Sequence, residues 1–93
     1  MTRGDTIQIL SLIKKAYPMF YKYADKKEAE NIADLWHIMF EHDETLSVLD
    51  AVRFYIATDV KECPPTIGQI KAKMWEIKQL DEIRAKRGVE GND

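Results

Sequence analysis

Apolar residues in this chain recur at helical spacing in four separate stretches, and the breaks between them fall at prolines or polar clusters. In the first stretch Ile9, Leu10, Leu12, Ile13, Ala16 and Tyr17 share one broad face. This predicts a helix over about Thr6 to Tyr17, with Asp5 as its cap, Gln8 three residues on, and Pro18 as its stop. An aromatic stretch follows, Met19 to Ala24, with Phe20, Tyr21 and Tyr23. Aromatics so placed either stack on bases or close one end of a helical core; core closure is expected. Asp25-Lys26-Lys27-Glu28 has the form of a capping box and opens a second helix to about Glu41 or His42. Ala29, Ile32, Ala33, Trp36, Met39 and Phe40 make its stripe, and Leu35 and Ile38 carry apolar surface further round. A helix apolar on more than one side generally has neighbours on more than one side. The second helix is therefore expected at the centre of the core, with Trp36 its largest buried residue.

The third helix is predicted over about Glu44 to Thr58, with Val48, Leu49, Val52, Tyr55 and Ile56 facing inward and Phe54 pointing off that face. Asp59 to Glu62 is a polar connection. Cys63-Pro64-Pro65-Thr66-Ile67-Gly68-Gln69-Ile70 then divides the chain. Two consecutive prolines cannot lie inside a helix, and each forces the preceding residue toward extended geometry. Thr66 with Gln69 three residues later is a capping box for a fourth helix, and a lone Cys63 ahead of the prolines reads as a small apolar plug. Ile67, Ile70, Met74 and Ile77 form a narrow stripe expected to pack on helices two and three. Beyond Ile77 the apolar residues rotate off the stripe: Leu80 and Ile83 drift around the axis and Trp75 faces elsewhere. The outer half, with Lys78, Arg84, Lys86 and Arg87 among Asp81 and Glu82, is expected to overhang the body. It reads either as a solvated charged helix end or as a partner-binding arm.

The fold class expected is all-α: a single domain over residues 1–87, made of a body (5–62) and a long C-terminal helix (67–87), with 88–93 as a disordered tail. A chain of 93 residues with four glycines and three prolines has too few turn residues for a sheet protein.

Charge adds an asymmetry that the net value of −2 hides. Residues 1–24 carry +3, residues 25–62 carry −6, residues 66–87 carry +3 and the last six −2. An acidic middle argues against a duplex-DNA binder, which shows a basic face and high pI, and suits a basic or mixed-charge protein partner. Little direct nucleic-acid binding is expected. One cysteine gives no intrachain disulfide and points to a cytoplasmic site. Residues 1–5 lead straight into an amphipathic pattern with no signal peptide, and no apolar run approaches the roughly 18 residues of a membrane span.

The chain offers no chemistry of its own. Phosphate-cradling glycine loops are missing from the sequence. His37 and His42, five apart, lean to different faces, which is not zinc spacing. Glu41, Asp43 and Glu44 read as capping charge, and no third group turns Cys63 and a histidine into a nucleophile pair. No enzyme activity, catalytic residue, cofactor or metal is expected.

The order of the motifs resembles a known family. Ile13-Lys14-Lys15-Ala16-Tyr17-Pro18 with Phe20, then Leu35-Trp36, then Ala51-Val52 with Tyr55-Ile56-Ala57-Thr58, then Pro64-Pro65-Thr66-Ile67 with Ile70, is similar to the phage replicative helicase loader/inhibitor proteins of phages and prophages of Gram-positive bacteria. The likeness spans about residues 6 to 70. Cys63 departs from it, since a bulkier apolar residue is common before the proline pair, and the stretch after helix four is short. The resemblance implies a protein that binds the hexameric replicative DNA helicase, keeps it silent and hands it to an origin-binding replication protein in the host bacterial cytoplasm. It favours the partner-arm reading of the outer helix, with Trp75, Leu80, Ile83, Arg84 and Arg87 as partner-binding residues. The alternatives are a small helical DNA-binding protein and a phage structural or assembly adaptor.

Overall fold

A computed structural model describes residues 1–90, with side chains to residue 86. Four helices follow in order: α1 (Arg3–Ala16), α2 (Lys26–Phe40), α3 (Thr45–Thr58) and α4 (Ile67–Glu90). The first begins earlier than the apolar pattern predicts. Thr2, not Asp5, is the cap: its hydroxyl accepts from the Asp5 N–H at 3.1 Å and the Asp5 carboxylate accepts from the Thr2 N–H at 3.1 Å. The Asp5 carboxylate also accepts from the Thr45 hydroxyl at 3.0 Å, tying the first turn of α1 to the first turn of α3. These bonds hold the Asp5 carboxyl below the usual carboxylate range. Asp25 caps α2 as expected, accepting from the Glu28 N–H at 2.8 Å. Glu44 precedes α3 without a side-chain bond to it.

The core is one cluster drawn from all four helices: Ile9 and Ile13 of α1, Trp36 and Phe40 of α2, Val48, Ala51, Val52 and Tyr55 of α3, and Ile70 of α4. Tyr17 and Phe20 close one end of it. Phe20 meets the Trp36 ring edge-on at 6.0 Å, and Trp36 stacks on Phe40 at 5.6 Å. The aromatic stretch therefore divides: Phe20 is core, whereas Tyr21 and Tyr23 are exposed. The Lys14 ammonium pins the stretch by donating to the Phe20 carbonyl at 2.8 Å.

Three expectations about packing are corrected. The helices with neighbours on more than one side are α1, which packs against α2 and α3, and α3, which packs against α1 and α4, while α2 packs chiefly on α1. Trp36 is the largest buried residue, as expected, but the second apolar side of α2 has no cover: Leu35, Ile38 and Met39 are 50%, 63% and 45% exposed. The stripe on α4 likewise lies chiefly on α3, and beside it the Lys71 ammonium reaches α2, over the Phe40 ring at 4.5 Å. Cys63 is exposed and is not a plug; the buried residue at that corner is Pro65. Past Ile77 no described residue of the long helix joins the core cluster, although Leu80 and Arg84 still face α3 across a cleft, and the molecule measures 58 × 29 × 17 Å. Residues 88–90, read from sequence as part of a tail, continue α4; residues 91–93 lie outside the described ones.

Candidate partner-binding surface

The surface is built outward from the joint between α3 and α4. Here the chain runs Asp59 to Thr66, and two tyrosines from the body grip it. The Tyr17 hydroxyl donates to the Asp59 carboxylate at 2.7 Å, and the Tyr55 hydroxyl donates to the Cys63 carbonyl at 2.7 Å. Asp59 also accepts from the Lys61 N–H at 3.0 Å. Burial, then the hydrogen bond to Asp59, push the Tyr17 hydroxyl well above the ordinary phenol range; burial and the nearby Asp59 charge push Tyr55 in the same direction. The Tyr17 bond in turn holds the Asp59 carboxyl below its ordinary value. At neutral pH both phenols are protonated donors and Asp59 is an ionised acceptor, so the clamp has fixed polarity. Glu62 adopts a left-handed backbone conformation (φ 57°), which turns the chain into the extended proline pair.

Thr66 then starts α4 with the expected box. Its N–H donates to the Gln69 side-chain oxygen at 2.9 Å, and its hydroxyl accepts from the Gln69 N–H at 3.2 Å. The clamp and the box together set where α4 begins and the direction it takes. Ile70 is fully buried, and Ile67, Met74 and Ile77 pack against the core cluster. On one flank Lys71 pairs with Asp43; on the other, the Lys73 ammonium lies over the Phe54 ring at 4.9 Å and reaches Glu76 at 3.3 Å.

Of the residues singled out for partner binding, Trp75 lies in the inner half of this helix and Leu80, Ile83, Arg84 and Arg87 in the outer half. Trp75 is 66% exposed, Leu80 40% and Ile83 48%; Arg84 is exposed. The side chain of Arg87 lies outside the described ones, although its backbone is helical. The structure does not bring the set together on one face. Trp75 and Leu80 are five residues apart, about 140° around a helix of 3.6 residues per turn. Leu80 and Arg84 face a cleft shared with Arg53, Phe54 and Ala57 of α3. Trp75 lines a second cleft, with Asp43 and Ser47, which adjoins the first at Asp50, Ile77 and Asp81. Phe54, flagged by its position off the inner face of α3, is thus a wall of the first cleft. Asp43 reads from sequence only as capping charge, and Ser47 and Asp50 give no sequence signal, because nothing local distinguishes them from ordinary surface polar residues.

Among the described residues no group of three histidine, cysteine, aspartate or glutamate side chains is placed to hold a metal ion. No described helix is long and apolar enough to cross a membrane. The arrangement offers surface, charge and a long helix that runs on beyond the core cluster.

No curated protein and no solved structure matches the chain. A family model does: that of the N-terminal domain of the helicase loader/inhibitor of phage SPP1, over residues 1–71. The match takes in α1, α2, α3, the clamped joint and the first turn of α4, and stops before Trp75. Since it spans most of the chain, the chain belongs to the family defined by that N-terminal domain of the phage SPP1 helicase loader/inhibitor.

Proposed function

We propose that this chain is a phage DNA-replication accessory protein. It binds the hexameric replicative helicase, holds it inactive, and delivers it to the origin through an origin-binding partner in the host cytoplasm. The observation that carries the reading is the outer half of α4, which lies beyond the core cluster and carries exposed apolar residues and Arg84. Exposed apolar side chains on a protruding helix are unfavourable in isolation and useful in an interface, where aromatic and arginine anchors supply most of the binding energy. Trp75, Leu80, Ile83, Arg84 and Arg87 are the proposed helicase contacts. The family membership supports a regulatory role that requires no catalysis. The acidic stretch 25–62 offers a second surface for the origin-binding protein.

The test is a pull-down with purified helicase and, separately, with the origin-binding protein. The intact chain captures both. A chain truncated after Gln79 keeps Ile67, Ile70, Met74 and Ile77, so it folds, still captures the origin-binding protein, and loses the helicase. Helicase capture by the folded truncation moves the contact onto the body, and no capture by the intact chain removes the helicase reading.

A further inference from the structure

Trp75, one of the proposed helicase contacts, sits on a flank of α4 apart from Leu80 and Arg84, and that flank has a feature of its own. Between it and α3 lies a cleft of about 650 Å³. Met74, Trp75 and Ile77 give it an apolar wall, and Trp75 is the most exposed of the three. The charged residues around it are Asp43, Asp50, Asp81 and Glu82 against Lys71 and Lys78, and Lys71 is already paired with Asp43. The rim is therefore net acidic by two charges, although this half of the chain, residues 66–87, is basic as a whole. The acids come from both walls: Asp43 and Asp50 from α3 and the turn before it, Asp81 and Glu82 from α4.

We propose that this cleft is a docking groove for a basic amphipathic helix of a partner protein. The occupant's apolar side chains, at i, i+3, i+4 and i+7 spacing, lie against Trp75 and Met74, and its flanking lysines or arginines meet the acidic rim. A nucleic-acid occupant is disfavoured because its phosphates meet the same acids. A second copy of this chain carries a row of the required kind in Leu80, Ile83 and Arg84. That row and the groove lie on different flanks of one helix, so such a contact is head-to-tail and builds open chains rather than a closed dimer. The inference does not depend on which protein the outer row of α4 binds.

The intact chain is titrated with a synthetic amphipathic peptide bearing leucines at this spacing and lysines on the flanks, and with a twin in which glutamate replaces each lysine. Tryptophan emission is the readout. Trp36 is buried at 1% exposure, so a shift reports Trp75. The basic peptide gives a saturable blue shift, and the acidic twin binds at least tenfold more weakly. In the variant Asp50→Lys, Asp81→Lys, Glu82→Lys, checked for an unchanged helical circular-dichroism spectrum, the preference inverts. The shift disappears in Trp75→Phe, while calorimetry still detects the peptide. Equal affinity for the two peptides, an unchanged preference in the charge-reversed variant, or no saturable shift overturns the proposal. So does sedimentation showing that the chain alone self-associates and that the basic peptide dissociates it, since that assigns the groove to a second copy.

Discussion

Removing the Trp36 side chain is the most demanding perturbation of this core. The residue is 1% exposed and makes two aromatic contacts, edge-on to Phe20 and stacked on Phe40. Trp36→Ala deletes the whole indole from a packed site whose neighbours come from α1, α3 and the aromatic stretch, so the space cannot close without moving several elements. Such truncations cost about 3–5 kcal/mol, against a typical total of about 5–15 kcal/mol for a domain. At about 4–8 °C per kcal/mol for a chain of this length, the melting midpoint should fall by roughly 12–40 °C. One detail separates packing from polarity. The Trp36 Nε1 is buried with no hydrogen-bond partner among the described residues, and a buried donor without a partner costs about 1–3 kcal/mol. Trp36→Phe removes that donor along with part of the ring volume, so its loss should be less than half that of Trp36→Ala. Circular-dichroism melts of the three proteins give the comparison. An unchanged melt for Trp36→Ala refutes the placement of this residue at the centre of the core, and equal losses for the two variants refute the argument about the N–H.

Three further outcomes follow from the joint and the outer helix. Thr66→Ala removes half of the capping box and should cost about 1 kcal/mol; amide exchange should rise at Ile67 to Ile70 and stay unchanged in α1. Tyr17→Phe removes the hydrogen bond that depresses the Asp59 pKa. A carboxyl depressed in the folded state contributes stability above its unfolded pKa, about 3.9, and loses it as pH falls through the lower folded value; the gap in melting midpoint between wild type and variant should therefore be constant near neutrality and shrink below about pH 4, while Asp59, followed by carboxyl NMR, titrates closer to the ordinary value in the variant. Leu80→Glu with Ile83→Glu alters exposed positions only; the melt should move little, within about 0.5 kcal/mol for surface sites, while helicase capture falls at least tenfold, and full capture by a folded double variant contradicts the role given to that row.

What could be read from sequence was what local chemistry decides. The Thr66–Gln69 box and the proline stop before it lie within a few residues, and the structure reproduces both. The start of α1 was misplaced because two overlapping boxes compete there, Thr2 with Asp5 and Asp5 with Gln8. The choice is helped by Thr45, forty residues away, which also bonds Asp5. Periodicity identified the apolar faces of α2 but not which of them is covered, since Leu35 and Ile38 are as apolar as residues that are buried. The central places of α1 and α3 are a property of the assembled core that no single helix encodes. On α4 the drift of Leu80 and Ile83 away from the Ile70 stripe was legible from helical geometry alone. The acid-rimmed cleft beside Trp75 was not, because its charges come from two elements that only the fold brings together.

The central claim is that the outer half of α4 silences the helicase, and one titration tests it most directly. The DNA-stimulated ATPase of the purified hexameric helicase is followed with increasing intact chain and, in parallel, with the chain ending at Gln79, both shown to be folded by their melts. The intact chain should suppress the ATPase to a low plateau, and the shortened chain should leave it at its starting rate across the same range. Equal suppression by the two proteins contradicts the assignment to α4, and no suppression by the intact chain contradicts the inhibitor reading itself.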